Sequence, residues 1–210
     1  MNTVQEESEP RSKISTSTKH EVLQDRLLTL AEHTIALKGL PALRARTLAE
    51  EAGCSVGAIY GVFADLVALI LAVNARTLDQ FTASMQRAED LPAMAGAYLD
   101  YAAANRHRWQ ALFQHRMPDG RPIPQSYADK QALAFSRIEA PLATLCPALP
   151  HPERAALART LFSAVHGVVI LGLDEKVAAV KLPDLHAQLR LLVDALTRGL
   201  TLNPRRAAPA

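Results

Sequence analysis

Apolar residues of this 210-residue chain recur at three- and four-residue spacing over most of its length. Leu23 and Leu27 begin the pattern, which keeps apolar side chains on one face of each predicted helix. We find no stretch with the alternating pattern of a half-buried strand. Segments rich in proline and glycine interrupt the spacing at 117–124, 146–152 and 174–183. The sequence therefore predicts an all-α fold of about nine helices.

The predicted helices fall into two units. Residues 20–65 form a small helical unit, and residues 66–203 form a larger bundle that begins with a long apolar helix at about 65–87. The polar segment 1–19 has no apolar period and is expected to be a disordered arm, and 204–210 is expected to be a tail.

The composition restricts the class of protein. Hydrophobic residues make up 49% and charged residues 21%, which is enough apolar surface for a sizeable core. The two cysteines, Cys54 and Cys146, are too few for a disulfide scaffold and favour a reducing compartment. The first twenty residues lack the apolar region of a signal peptide, and no run reaches the roughly 20 apolar residues of a membrane helix. We expect a cytoplasmic protein without membrane contact.

Familiar catalytic and metal-binding motifs do not occur in the sequence. The seven histidines are scattered, and there is no HExxH, CxxC, GxSxG or glycine-rich phosphate loop. We therefore expect no enzyme activity, no cofactor and no metal ion. Cys54 is expected to be a small core thiol, and an oxidation switch at this residue is the alternative.

The stretch 44–63 carries most of the functional information. Gly53 can adopt a positive φ, so the chain can turn sharply between short helices at 45–52 and 56–63, and Ser55 is placed to cap the second. This pattern is typical of a helix-turn-helix, whose second helix enters the major groove of DNA, although a hairpin inside a bundle shows the same periodicity. The residues that can face a shared core are Leu48, Ala52, Ile59 and Phe63.

This stretch resembles the DNA-binding region of the tetracycline-repressor (TetR) family of bacterial transcription regulators. The resemblance covers roughly residues 20–75 and follows one N-terminal helix, as in the family. It implies an all-α homodimer with an N-terminal DNA-binding domain and a C-terminal domain that binds a small ligand. The matching residues are Leu48, Ala49, Glu50, Ala52, Gly53, Ser55, Gly57, Ile59, Tyr60 and Phe63.

A looser resemblance lies downstream. The segments 105–113, with Trp109, and 162–168, with His166 and Gly167, are similar to a TetR subgroup that has a tryptophan and a His-Gly pair in its ligand domain. No ligand class follows from this resemblance. We expect Gly167 to permit the close approach of a neighbouring helix, and His166 to be a satisfied core histidine more readily than a ligand contact.

The resemblance also implies how DNA would be contacted. Tyr60 would touch a phosphate, Val56 and Ala58 could meet thymine methyl groups, and Gly57 would let the backbone approach closely. Arginines at the start of the preceding helix could reach the DNA backbone or a base edge, at a near-palindromic operator. The predicted DNA-binding residues are Arg44, Arg46, Thr47, Ser55, Val56, Gly57, Ala58, Tyr60 and Gly61.

The sequence departs from the family pattern at several positions on this surface. Gly61 and Val62 stand where the family often has an aromatic or polar residue and a histidine, Leu66 stands where it usually has lysine, and Arg44 replaces a capping serine or threonine. We expect modest affinity, or reliance on Arg44, Arg46 and the basic arm. An alternative is a dimeric interaction module of this fold with weak or no DNA binding. The basic residues of the arm are Arg11, Lys13 and Lys19.

Aromatic and polarisable side chains mark a candidate ligand site in the larger unit. Helical bundles bind ligands between their helices, so a repressor released from its operator by an apolar or aromatic small molecule is expected. Core packing is the alternative for each of these residues. The candidate ligand-binding residues are Phe81, Met85, Tyr98, Tyr101, Trp109, Phe113, Phe135, Phe162 and His166.

The last two predicted helices, at 152–173 and 184–201, each carry an apolar stripe. Burial of both stripes across a two-fold axis would give a four-helix bundle and a homodimer, and the alternative is an intramolecular core. The stripe residues are Leu161, Val165, Val168 and Val169, with Leu185, Leu189, Leu192, Val193 and Leu196.

Overall fold

The computed structural model describes residues 16–174 and 180–202, and these ranges contain nine α-helices, a short 3₁₀ turn and no strand. The predicted all-α class is confirmed. The helices are α1 (Thr16–Lys38), α2 (Ala45–Ala52), α3 (Val56–Val62), α4 (Leu66–Ser84), α5 (Leu91–Ala104), α6 (Arg106–Gln114), α7 (Gln125–Leu145), α8 (His151–Gly172) and α9 (Leu182–Leu202).

The termini differ from the sequence prediction in one respect. Helix α1 begins at Thr16, inside the segment that was expected to be a disordered arm. The rest of that arm, with Arg11 and Lys13, lies outside the described residues, as do the predicted tail and the centre of the loop at 174–183.

Helices α1, α2 and α3 share a core with the first turns of α4. Ile59 is completely buried, and Leu48, Ala52 and Phe63 are at most 5% exposed, so the core predicted for this unit is confirmed. Three apolar residues of α1, Leu27, Ala31 and Ile35, pack against this core from the other side. The fully buried members are Leu27, Ala31, Ile35, Ile59, Leu69, Val73 and Ala111.

Local signals set the ends of these helices. Gly53 adopts φ 64° and ends α2 in the left-handed region, where a side chain would be strained. The hydroxyl of Ser55 accepts a hydrogen bond of 3.1 Å from the backbone N–H of Ala58 and caps α3. Asp65 does the same for α4, accepting from the N–H of Ala68 at 2.8 Å. The turn and the cap that the sequence indicated at Gly53 and Ser55 are confirmed.

Helices α4 to α9 form the larger bundle, in which α9 packs against α5 and α8. The predicted dimer stripes are mostly part of this bundle's own core: Val169 is completely buried, and Leu185 and Leu189 are 1% exposed. The assignment of those stripes to a subunit interface is therefore wrong for its buried members. Helical spacing correctly identified the residues that share a face of α8 or of α9. Within one chain, however, these faces are covered by neighbouring helices: α5 and α8 pack against α9, and α9 packs against α8. The buried members are Leu161, Val165, Val169, Leu185, Leu189 and Val193.

Two helices, α4 and α8, are long and apolar enough to span a membrane by length and composition alone, contrary to the expectation from uninterrupted apolar runs. Core helices of folded proteins pass the same test. The share of residues buried inside the molecule is 44% for the α4 segment and 28% for the α8 segment, so α8 keeps a large uncovered face.

The close approach of α8 and α9 depends on Gly172 and not on Gly167. A Cβ added at Gly172 would overlap the Leu185 side chain, with Leu185 Cδ1 at 3.0 Å, whereas a Cβ at Gly167 would meet no atom within 4 Å. The expectation that Gly167 permits helix packing within the chain is therefore wrong. Gly172 serves that purpose one turn further along α8.

We expect Gly172→Ala to lower the free energy of unfolding by about 1–3 kcal/mol, because the new methyl group displaces the buried Leu185. Urea unfolding at fixed protein concentration measures the effect. Gly61→Ala is the control: its Cβ meets no atom within 4 Å, so helix propensity should raise stability by about 0.5–1 kcal/mol. Equal stability of the two variants would contradict the packing argument.

Candidate nucleic-acid interface and ligand cavity

Helix α3 presents one face to the core and the opposite face to solvent. Ile59 is completely buried, whereas Tyr60 is 46% exposed and Val56 is 37% exposed. Gly57 and Gly61 lie on the same outer side, where a Cβ at Gly61 would meet no atom within 4 Å. The outward orientation expected of α3 is confirmed. Val56, Gly57, Tyr60 and Gly61 make up this surface, the α3 face.

The other predicted DNA-binding residues lie beside the α3 face. Arg44, Arg46 and Thr47 are exposed at the start of α2, where Arg44 makes no capping hydrogen bond and instead donates to the carbonyl of Leu43 at 3.2 Å. Ser55 is exposed, with its hydroxyl engaged in the α3 cap, and Ala58 is half-buried. Except for Ala58, all the predicted DNA-binding residues are exposed to solvent.

At the start of α4, Leu66 stands where the family usually has an exposed lysine that can reach a phosphate. Leu66 is half-buried and packs against the core of the N-terminal unit. Asp65, beside it, forms an ion pair with Arg121 from the loop before α7. The hydrogen bond from the Ala68 N–H, together with Arg121, lowers the pKa of Asp65. Arg121 therefore ties the loop between α6 and α7 to the junction of the two units.

Two adjoining cavities lie inside the larger bundle. The larger one has a volume of about 250 Å³ between α4, α6 and α7, and the smaller one has about 40 Å³ between α5, α8 and α9. Phe81, Tyr98, Ile138 and Phe162 line both and form the partition between them. Among residues 16–174 and 180–202, no charged side chain lines either cavity.

The candidate ligand-binding residues lie at these cavities with two exceptions. Tyr101 turns toward α4, donates its hydroxyl hydrogen bond to the carbonyl of Thr77 at 3.2 Å and does not line a cavity. His166 lies behind the wall, with its ring centre 4.3 Å from that of Phe113. The candidates that do line a cavity are Phe81, Met85, Tyr98, Trp109, Phe113, Phe135 and Phe162.

A hydrogen-bond chain holds the cavity wall. Trp109 Nε1 donates to Tyr98 Oη at 2.9 Å. Tyr98 Oη lies 2.6 Å from His166 Nδ1 and donates to it when the neutral imidazole carries its proton on Nε2. Burial lowers the pKa of His166, so the ring is neutral at neutral pH. Burial also raises the pKa of Tyr98. His166 thus has a hydrogen-bond partner for Nδ1, through which it orients Tyr98.

Sequence reasoning missed two polar residues of the larger cavity, Tyr127 and Gln131 on α7. Together with the candidate Phe135 they follow a four-residue spacing, which could have placed them on the same helix face. Burial raises the pKa of Tyr127 to about 12, so its hydroxyl remains protonated at neutral pH.

Helix α6 connects the cavity to the N-terminal unit. Trp109, Leu112 and Phe113 line the larger cavity, while two neighbouring residues of the same helix contact α1. His107 Nδ1 donates to the carbonyl of Ala36 at 3.0 Å, and Arg108 Nη2 lies 2.9 Å from Glu32 Oε1. Arg108 is 9% exposed, and the ion pair therefore lies in a largely dry junction.

A comparison with families of known proteins identifies one match that covers half of the chain. Residues 91–196 match the family model described as "Tetracyclin repressor-like, C-terminal domain". No curated protein matches the sequence. The subgroup inferred from Trp109 and the His-Gly pair stays a prediction.

Solved structures similar to this one are transcription regulators or are without known function. A protein of unknown function from Rhodococcus sp. RHA1 has a TM-score of 0.67 at 23% identity, with 92% of this chain and 100% of that chain covered. A TetR-family transcriptional regulator from Streptomyces coelicolor has a TM-score of 0.62 at 18% identity, covering 90% of each chain. A TetR transcriptional regulator from Rhodococcus sp. RHA1 has 0.59 at 18%, covering 85% and 97%. These likenesses show a shared fold.

Proposed function

Since this chain belongs to the tetracycline-repressor family of transcription regulators, we propose that it binds operator DNA as a homodimer and is released by a small apolar or aromatic ligand. Members of this family are regulators rather than enzymes, in agreement with the motifs that the sequence lacks. One observation carries the DNA proposal: Tyr60 and Gly57 face solvent while Ile59 of the same short helix is buried. The proposal places the protein in the cytoplasm with its DNA.

The α3 face would enter the major groove of an operator half-site. Val56 offers apolar contact to a thymine methyl group, Gly57 and Gly61 allow close backbone approach, and Tyr60 has the one side-chain hydroxyl on this face. Arg44 and Arg46 at the start of α2 would supply the charged contacts, since guanidinium groups bind the phosphates of the DNA backbone. Two half-sites would lie about one helical turn of DNA, or a multiple of it, apart.

A second candidate is a dimeric interaction module that binds DNA weakly or not at all. The α3 face favours it, because three of its four residues, Val56, Gly57 and Gly61, carry no hydrogen-bonding side chain. Leu66 adds to this, since it packs in the core where the family usually has lysine.

Gel-shift titration with the chain's own upstream DNA at several salt concentrations tests the DNA role. Tyr60→Ala should weaken binding about five- to tenfold through loss of one hydrogen bond and of packing on the duplex. Arg46→Ala should weaken binding and reduce the slope of log affinity against log salt by about one, because one phosphate contact is lost. Arg87→Ala, exposed beyond the far end of α4, is the control and should change neither quantity.

Failure of the protein to retard any duplex at low salt would remove the DNA proposal and favour the interaction module. Unchanged binding by both Tyr60→Ala and Arg46→Ala would place the DNA contact on another surface.

The uncovered face of α8 and α9 supports the homodimer. Ile170, Leu171 and Leu191 are 42%, 54% and 68% exposed, so apolar side chains remain in water in a single chain. Gly167 lies one turn before Ile170 with open space around it, which would let a second α8 approach closely. These residues replace the buried stripes as the proposed interface. Leu182 and Leu196, which are 40% and 36% exposed, lie instead on the side of α9 that carries the buried Leu189.

We expect Leu191→Glu to shift the protein toward monomer, with the dimer dissociation constant raised at least about tenfold, because a charge would be buried between subunits. Sedimentation velocity over a concentration series measures this. Leu133→Glu is a matched control, since Leu133 is 52% exposed on α7, away from the proposed interface. A Leu191→Glu variant as dimeric as the wild type, or a wild type that is monomeric throughout, would contradict the proposal.

Release by a ligand requires that the cavity and the α3 face influence each other. Helix α6 supports this, because it lines the cavity through Trp109 and Phe113 and contacts α1 through the Arg108–Glu32 ion pair. A shift of α6 to accommodate a ligand would move α1, and with it the unit that holds α3. The coupling is reciprocal, so DNA binding must in turn perturb the cavity.

Trp109 is the only tryptophan in the sequence, so its fluorescence reports on the cavity. We expect operator DNA to change the emission of the wild type, and Glu32→Gln to reduce this change to less than about half while DNA is still bound, because the charge that links α6 to α1 is lost. Asp79→Asn, which breaks the exposed Asp79–Lys130 ion pair between α4 and α7, is the control and should respond like the wild type. An undiminished response in Glu32→Gln would exclude this ion pair from the coupling.

A further inference from the structure

The walls of the two cavities restrict the charge of any occupant. Both are lined by apolar and aromatic side chains, with Gln131, Tyr98, Trp109 and Tyr127 as the polar residues. An ion that entered would lose its hydration without meeting an opposite charge, which is strongly unfavourable. The guanidinium of Arg159 lies 5.4 Å from the centre of the Phe135 ring, but Arg159 is exposed and does not line the cavity.

The polar groups on opposite walls are not equivalent. Trp109 and Tyr98 hydrogen-bond to each other and Tyr98 to His166, so that wall offers ring faces and no free donor. Tyr127 and Gln131, one turn apart on α7, have no side-chain hydrogen bond within the described residues. Tyr127 is 7% exposed, and its hydroxyl has no hydrogen-bond partner in the described part of the chain. These two groups are the ones available to a ligand.

The volume of the cavity further limits the class of ligand that can bind. A cavity of about 250 Å³ is at the small end of ligand sites and suits one ring or a fused pair. The smaller cavity beyond the partition of Phe81, Tyr98 and Phe162 has room only for a short apolar substituent. One edge of the site is therefore polar, and the rest is aromatic or aliphatic.

We propose that the effector is an uncharged aromatic molecule with one hydroxyl or carbonyl group, which hydrogen-bonds to Gln131 and Tyr127 while its ring packs against Trp109 and Phe113. This inference rests on the proposed function, in which the cavity holds the effector, and specifies its chemistry. Gln131 both donates and accepts, and so does the protonated Tyr127 hydroxyl, so either polar group is accommodated. An apolar substituent on the ring points toward the smaller cavity.

Three probes of similar shape test the proposal by isothermal titration calorimetry on the full chain without DNA: para-propylphenol, propylbenzene and para-propylbenzoate. We expect para-propylphenol to bind about five- to thirtyfold more tightly than propylbenzene, as one or two buried hydrogen bonds provide, and the benzoate at least about tenfold more weakly than the phenol. Quenching or a spectral shift of Trp109 emission on binding would place the probe in this cavity. Equal affinity for phenol and propylbenzene, or tight binding of the benzoate, would overturn the proposal.

Two variants test the polar contacts. Gln131→Leu and Tyr127→Phe should each lower the preference for the phenol over propylbenzene by about threefold or more, with propylbenzene affinity kept or increased. Gln125→Leu, the same change at an exposed position of α7, should keep the wild-type preference. A full phenol preference in both Gln131→Leu and Tyr127→Phe would exclude α7 as the polar edge. Because Gln131→Leu removes a half-buried amide and Tyr127→Phe only a hydroxyl, at least one is expected to fold normally.

The gel shift and the calorimetry test the DNA role and the effector chemistry separately. A protein that retards DNA but binds none of the three probes would overturn the inference about the effector and leave the DNA role standing. A protein that prefers the phenol but retards no duplex would contradict the DNA role and keep the chemistry assigned to the cavity.

Discussion

Helix α6 packs against three clusters of apolar side chains, and the rest of the structure depends on this packing. Trp109 belongs to the core of the larger bundle, Ala111 to the core of the N-terminal unit and Leu112 to the apolar cluster around Tyr127. Successive residues of a helix point about 100° apart, so the nine residues of α6 can contribute side chains to three cores at once. The two units therefore cannot pack independently, and a change at the cavity wall is felt at α1.

The polar groups of the molecule are divided between places with different roles. The junction of α1 and α6 holds the Arg108–Glu32 ion pair, where removal of one partner would leave a poorly solvated charge. The cavity wall holds the neutral chain from Trp109 through Tyr98 to His166, in which the indole N–H donates to the Tyr98 hydroxyl and this hydroxyl is hydrogen-bonded to His166 Nδ1. The Arg108–Glu32 ion pair fixes how α6 lies against α1. The hydrogen-bond chain holds the aromatic wall in place without adding charge to the ligand site.

Sequence patterns predicted the local structure of this chain closely and its contacts less well. Gly53 and Ser55 marked the turn and the cap because left-handed backbone and capping hydrogen bonds involve neighbours in the chain. Seven of the nine aromatic or polarisable candidates line a cavity, but the sequence could not distinguish Tyr98, which lines both cavities, from Tyr101, which faces α4. That distinction depends on where α4 and α6 lie relative to α5.

The sequence by itself determined the helices, the turn and caps around α3, and the face of α3 that stays in water, because these follow from hydrophobic periodicity and from backbone conformations of single residues. The tertiary structure alone decided which apolar stripe of α9 is covered: Leu189 is buried within the chain, whereas Leu191 remains exposed. It also decided that Gly172, and not Gly167, carries the close contact with α9. A helical repeat specifies the direction in which a side chain points, but the helix that meets it is set by how all the elements fill space together.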